Sequence, residues 1–146
     1  MATNFLELPT LHALRLVFDT AALVLIWLVQ LVIYPSFQHF HREGFRIWHR
    51  AYTRRVTYVV MPIMLGQLAV YGCLLLTARS TDLLLNTILI LLAWAITFFR
   101  AVPLHAALDI EENHLSLSAQ LITVNWWRTI LWTGCWGVTM MVNIQQ

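Results

Sequence analysis

Apolar residues fill four long stretches of this 146-residue chain, and the few polar residues inside them fall mostly near the stretch ends. Residues 56–77 form a run of 22 without a charge; 83–99 has none either, and 16–34 has only Asp19. Residues 115–144 make a run of 30 with one charge, Arg128. A bilayer core about 30 Å thick takes about 20 residues of helix. The pattern therefore predicts spans over approximately 12–34, 50–78, 82–102 and 118–142. The runs are continuous rather than alternating, which argues against a membrane β-barrel. Short connections make successive helices antiparallel. The expected fold is all-α: one integral membrane domain, a four-helix transmembrane bundle running up-down-up-down.

Proline and glycine punctuate the pattern. The first helix is expected to begin near Thr10, after Pro9, and to end at Pro35, because the residue before a proline is pushed out of the helical region. A connection over 35–44 leads to a second helix starting by Phe45, which Pro62 should bend. Arg79 to Asp82 make a turn in which Asp82 can cap the third helix. Pro103 should interrupt that helix, leaving 102–114 as a polar elbow with Asp109, Glu111 and Glu112 in water.

Composition sharpens this picture. With 60% hydrophobic and 11% charged residues, and a mean hydropathy of +0.69, the chain lies outside the range of soluble globular domains. The first stretch is longer than a signal-peptide core and has no cleavage motif, so it is expected to stay as a helix. All nine basic residues are arginine. Arg42, Arg46, Arg50, Arg54, Arg55 and Arg100 fall on one side of the four spans, against Arg15 and Arg79 on the other. By the positive-inside rule that side is cytoplasmic and both termini are outside. A net charge of +2 suits anionic headgroups better than nucleic acid. Cys73 and Cys135 show no metal-ligand spacing; two free thiols are expected, with a disulfide as the alternative.

Alternating helix directions bring the polar ends together. Gln30 and Tyr34 close the first span; His49, Tyr52 and Arg55 open the second; Arg100 and His105 end the third; Asn125 and Arg128 open the fourth. Arg128 should lie two turns into the bilayer, about 10 Å along the helix, where a charge needs a partner or a function. Asn125, Arg128, Thr129 and Trp132 share one helical face, and Trp94 lies on a matching stripe of the third span. The expected ligand-binding set is Gln30, Tyr34, Tyr52, Arg55, Trp94, Asn125, Arg128 and Trp132. His49 and His105 are the acid–base candidates if a reaction occurs, and the ligands if a haem or metal is present. The spacing of His105, Asp109 and Glu112 suits an exposed helix face or a hard cation. Asp19 has a sufficient partner in Arg15, one turn earlier. Gln67, near mid-bilayer, suits a bond between helices or the floor of a pocket.

The segments Q-L-V-I-Y-P-S-F (30–37), H-R-A-Y-T-R-R (49–55), P-I-M-L-G-Q (62–67), V-P-L-H (102–105) and N-W-W-R-T-I-L-W (125–132) together resemble a family of small four-span bacterial membrane proteins without an assigned function. The resemblance implies a bacterial inner-membrane protein whose cytoplasmic-side residues act as a unit. It also implies an acidic residue where this chain has Gln67. It supplies no substrate, and whether the chain is an enzyme stays open. The leading expectation is a pocket in the cytoplasmic leaflet for an amphipathic anionic or redox ligand: a lipid headgroup, a quinone or a haem. The alternatives are a non-catalytic accessory subunit of a larger membrane complex and, below it, a transporter or channel, which would need a homo-oligomer.

Overall fold

A computed structural model describes residues 7–110 and 113–144, without the side chains of Arg42 and Glu43. Glu111 and Glu112 therefore lie outside the described residues. The described elements are α1 (Leu8–Leu28), a π-helical turn (Val29–Ile33), α2 (Tyr34–Ser36), a 3-10 turn (Phe37–His39), α3 (Arg42–Thr77), α4 (Thr81–Ile96), a second π-helical turn (Thr97–Ala101), α5 (Val102–Leu108) and α6 (His114–Ile144). They join into four rods. Three of these, Leu8–His39, Gly44–Thr77 and Thr81–Leu108, are long and apolar enough to cross a membrane. The fourth is α6, which turns Ser118, Asn125, Arg128, Thr129 and Thr139 inward. The protein is an all-α four-helix bundle.

Two prolines behave differently from expectation. Pro35 does not end the first rod, and Pro103 does not interrupt the third. Each follows a π turn, where the Tyr34 and Val102 N–H groups reach back five residues to the Val29 and Thr97 carbonyls. The wider turn leaves the proline ring at the start of the next helical piece, where no N–H is required. Helix therefore continues past Pro35 to His39 and past Pro103 to Leu108. α3 likewise runs through Pro62, which sits on its exposed face.

The bundle buries many polar side chains among its apolar core and turns large apolar side chains outward. Arg15, Asp19, His49, Gln67, Asn86 and Asn125 are buried, while Val17, Val24, Leu31, Leu76, Ile88 and Ile130 face outward. In water this arrangement would waste apolar surface; in hydrocarbon it is the favourable one, since polar groups there must be satisfied internally. Around the ring, α1 packs on α3 and α6, and α4 packs on α6, whereas α3 and α4 approach each other far less closely.

A buried network ties the four rods at the end opposite the arginine-rich connection. The Asp19 carboxylate accepts bonds from Gln67 Nε2 (2.7 Å), Tyr71 Oη (2.7 Å) and Thr139 Oγ1 (2.6 Å). Arg15 donates from Nε to Tyr71 Oη (3.0 Å) and Thr139 Oγ1 (3.1 Å), and from Nη1 to Asp82 Oδ2 (2.8 Å). Asn86 Nδ2 reaches the Cys135 carbonyl at 3.0 Å. The expected Arg15–Asp19 pairing exists at 4.0 Å, but it is completely buried and forms one part of this larger assembly. Gln67 faces the network and is not a pocket floor. Asp82 bonds Arg15 from the first turn of α4, after the N-cap residue Ser80. Cys73 and Cys135 are free thiols.

Removing one partner of a buried pair costs about 3–5 kcal/mol, whereas replacing both with apolar residues is often near neutral. Asp19→Leu should therefore lower the melting temperature in detergent sharply, and Arg15→Met with Asp19→Leu should recover part of that loss; equal losses would show that the pair is not coupled. Gly66 gives a second test. A Cβ there would overlap the Phe18 ring, and overpacking of this kind costs about 1–3 kcal/mol, more than the roughly 1 kcal/mol an alanine gains in helix propensity. Gly66→Ala should destabilise the wild type and stabilise a Phe18→Ala background, as read by thermal melting of both pairs.

Candidate functional site

The polar ends of the four rods meet. Gln30 sits in the first π turn, so its amide points into the bundle and Oε1 accepts from Asn125 Nδ2 at 2.8 Å. Asn125 Oδ1 in turn accepts from Arg128 Nη1 at 2.8 Å. The Arg128 guanidinium lies over the Trp132 ring, 5.3 Å from its centroid, and shares a cavity wall with Tyr34. Arg128 is 7% exposed, and its Nε has no hydrogen-bond partner. Among the described residues no carboxylate pairs with it. The neutral oxygens around it leave a buried cation without a counter-charge, an arrangement that costs energy unless an anion or an electron-rich oxygen completes it.

Beside Arg128 lies a cavity of about 290 Å³ lined by all four rods. Tyr34, Tyr52, His105, Arg128 and Trp132 supply its larger polar and aromatic groups, and Ile26, Val29, Val56, Val60 and Met64 much of its apolar wall. It opens where α3 and α4 are loosely packed, past the exposed side chains of Thr57, Met61, Phe98 and Val102. That opening faces the lipid side of the bundle. The volume is at the small end for ligand pockets and suits a single ring or a compact headgroup. Both π turns border it, through Val29 on one side and Thr97 with Ala101 on the other. π turns recur at functional sites because they re-aim side chains within a continuous helix.

A chain of hydrogen bonds runs from the cavity towards the surface. Tyr34 Oη lies 3.0 Å from His105 Nε2, His105 Nδ1 lies 2.9 Å from His49 Nε2, and His49 Nδ1 lies 2.8 Å from Asp109 Oδ1. The two imidazoles are stacked with centroids 5.2 Å apart, and Phe37 and Phe45 pack on His49. All four ring nitrogens are engaged, so neither histidine offers a free lone pair to a haem iron or metal in this arrangement. Among the described residues no group of three His, Cys, Asp or Glu side chains could hold a metal ion.

The expected site residues thus separate into three groups. Tyr34, Tyr52, His105, Arg128 and Trp132 line the cavity; Gln30, Asn125 and His49 stand behind them, with Asn125 bonded to Arg128, Gln30 to Asn125 and His49 to His105. Arg55 and Trp94 belong to neither group. Arg55 is exposed beside a shallow groove on the outer face of α3 with Trp48 and Tyr52, because it falls one position past the inward stripe. Trp94 packs into the bundle against Phe98 with Leu83 and Ala93 in its clusters, away from the cavity, because the π turn begins only after it. Asp109, expected in water, instead turns inward to His49. No protein-family model, curated protein or solved structure matches this chain.

Asn125→Asp tests the electrostatics directly. A carboxylate 2.8 Å from Arg128 supplies the missing counter-charge, and the Gln30 amide can turn to donate to it, giving up only a 3.5 Å contact with the Ile122 carbonyl. The variant should melt higher than Asn125→Leu by several degrees and no lower than the wild type. A lower melting temperature for Asn125→Asp than for Asn125→Leu would mean that Arg128 is not short of negative charge.

Proposed function

We propose that this integral membrane protein binds an amphipathic ligand whose anionic or carbonyl-bearing head meets Arg128 in the cavity while its apolar body leaves between α3 and α4 into the bilayer. The observation that carries this reading is Arg128: a buried guanidinium, unpaired by any described carboxylate, on the wall of a mostly apolar cavity. Tyr34, Tyr52 and His105 would orient the head by hydrogen bonds, and Trp132 would stack against it. A quinone head or a small lipid headgroup has the right size and polarity. Placement of the cavity in the cytoplasmic leaflet, with both termini outside, is part of the same proposal and is supported by the arginine distribution; an inner membrane is what the family resemblance implies.

Protein purified in mild detergent should carry a lipid-soluble molecule detectable by extraction and mass spectrometry. Arg128→Leu should lose it while keeping its helical signal, and Asn125→Asp should retain at most a tenth, because its carboxylate competes for the same cation. Equal retention in the wild type and both variants would overturn the assignment of the cavity as the binding site.

A further inference from the structure

Asp109, His49, His105 and Tyr34 form an ordered series rather than a loose cluster. Asp109, when ionised, can only accept, so His49 carries its proton on Nδ1 and presents Nε2 as an acceptor. His105 must then donate from Nδ1, which leaves its Nε2 to accept from the Tyr34 hydroxyl. For neutral rings this is the assignment that satisfies all three bonds. Every donor points from the cavity towards Asp109. His49 is completely buried, Tyr34 and His105 line the cavity, and the Asp109 side chain is 26% exposed at the bundle end, with Arg50 Nε 3.9 Å away.

We infer that Asp109, His49, His105 and Tyr34 are a proton path from the cavity to the membrane surface, and that the ligand it serves bears a weakly acidic hydroxyl on a lipophilic, phenol-like ring. This rests on the binding reading above and gives it a chemistry. The ligand O–H bond breaks as its proton passes to the Tyr34 oxygen. The Tyr34 proton moves to His105 Nε2, the His105 Nδ1 proton to His49 Nε2, and the His49 Nδ1 proton to Asp109. An O–H bond on Asp109 replaces the one lost from the ligand, and the electron pair stays on the ligand oxygen. Tyrosine and both histidines end neutral. Arg128 holds the new oxyanion, which explains a cation placed beside a tyrosine with no carboxylate of its own. Asp109 then releases the proton to water. A chain that only tied α3 to α5 would need the His49–Asp109 bond alone; here it continues to the cavity wall and stops at the groups that would touch a ligand.

The test uses 2-dodecyl-4-nitrophenol, which turns yellow on ionisation, mixed at constant pH with the full chain in lipid nanodiscs. Binding is read from quenching of tryptophan fluorescence and ionisation from the colour of the bound probe. The wild type should bind the probe and ionise it quickly. Asp109→Asn, at the surface end, should bind within twofold of wild type yet ionise the bound probe at least tenfold more slowly. Tyr34→Phe should slow the bound probe to the same degree, and circular dichroism of each variant checks that it is folded. Equal ionisation rates in wild type and Asp109→Asn would overturn the proton path and leave the binding site standing. Failure of the wild type to bind the probe, or equal binding by Arg128→Leu, would overturn the binding reading and the proton path with it.

Discussion

The buried carboxylate of Asp19 fixes the geometry on which the rest of the structure depends. An ionised group in the bundle interior must be surrounded by donors, and these come from Gln67 and Tyr71 of α3 and Thr139 of α6, while α4 joins the network through Asp82, which accepts from Arg15, and Asn86, which donates to Tyr71. Helices in lipid gain little from sequestering apolar surface, so polar contacts and close packing set their register. The network settles which face of each rod points inward, and from there the inward stripes run to the opposite end. Trp132 marks the handover: its indole N–H donates to Gln67 Oε1 at 3.1 Å, while its ring lies under Arg128.

At that opposite end the rods are not closed to the same degree. The π turns before Pro35 and Pro103 change the helical phase on two sides of the cavity, and α3 stays apart from α4. A groove results that is apolar along most of its wall and polar at one corner. The corner unites a cation, two phenol hydroxyls and an imidazole, and the cation and the imidazole are anchored from behind by residues that do not reach the cavity. Gln30 and Asn125 anchor Arg128; His49 and Asp109 anchor His105. Functional groups on rigid helices with a supporting shell are held more precisely than groups on loops.

Much of this end was legible in the sequence, because its polar residues interrupt apolar runs near span boundaries, where alternating helix directions bring them together. Arg55 and Trp94 were misplaced for separate reasons: Arg55 lies at the edge of the inward stripe of α3, a helix without a π turn, whereas the π turn that follows Trp94 shifts the phase of the third rod, which a stripe drawn at 3.6 residues per turn does not anticipate. The opposite network was less legible. Asp19 and Gln67 stood out, but Tyr71, Asn86 and Thr139 each look like ordinary core or surface residues taken singly. A signal was nevertheless present. Arg15 and Asp19, Gln67 and Tyr71, Asp82 and Asn86, and Cys135 and Thr139 are all four residues apart, one such pair on each rod. Four pairs at the spacing that places side chains on one helical face imply a shared polar layer. Asp109 was hidden because its neighbours Glu111 and Glu112 made the whole elbow read as solvated.

The pairing of Arg15 with Asp19 also bears on how such a chain is made. The first rod emerges from the ribosome before Tyr71, Asn86 or Thr139 has been synthesised, and a lone carboxylate in that segment would oppose its transfer into lipid. With its counter-ion one turn away on the same helix, the segment can enter the bilayer as a nearly neutral unit. Each later rod brings its own two-residue contribution to the interior. The short-range ion pair thus lowers the cost of placing this carboxylate in lipid before the other rods supply their donors.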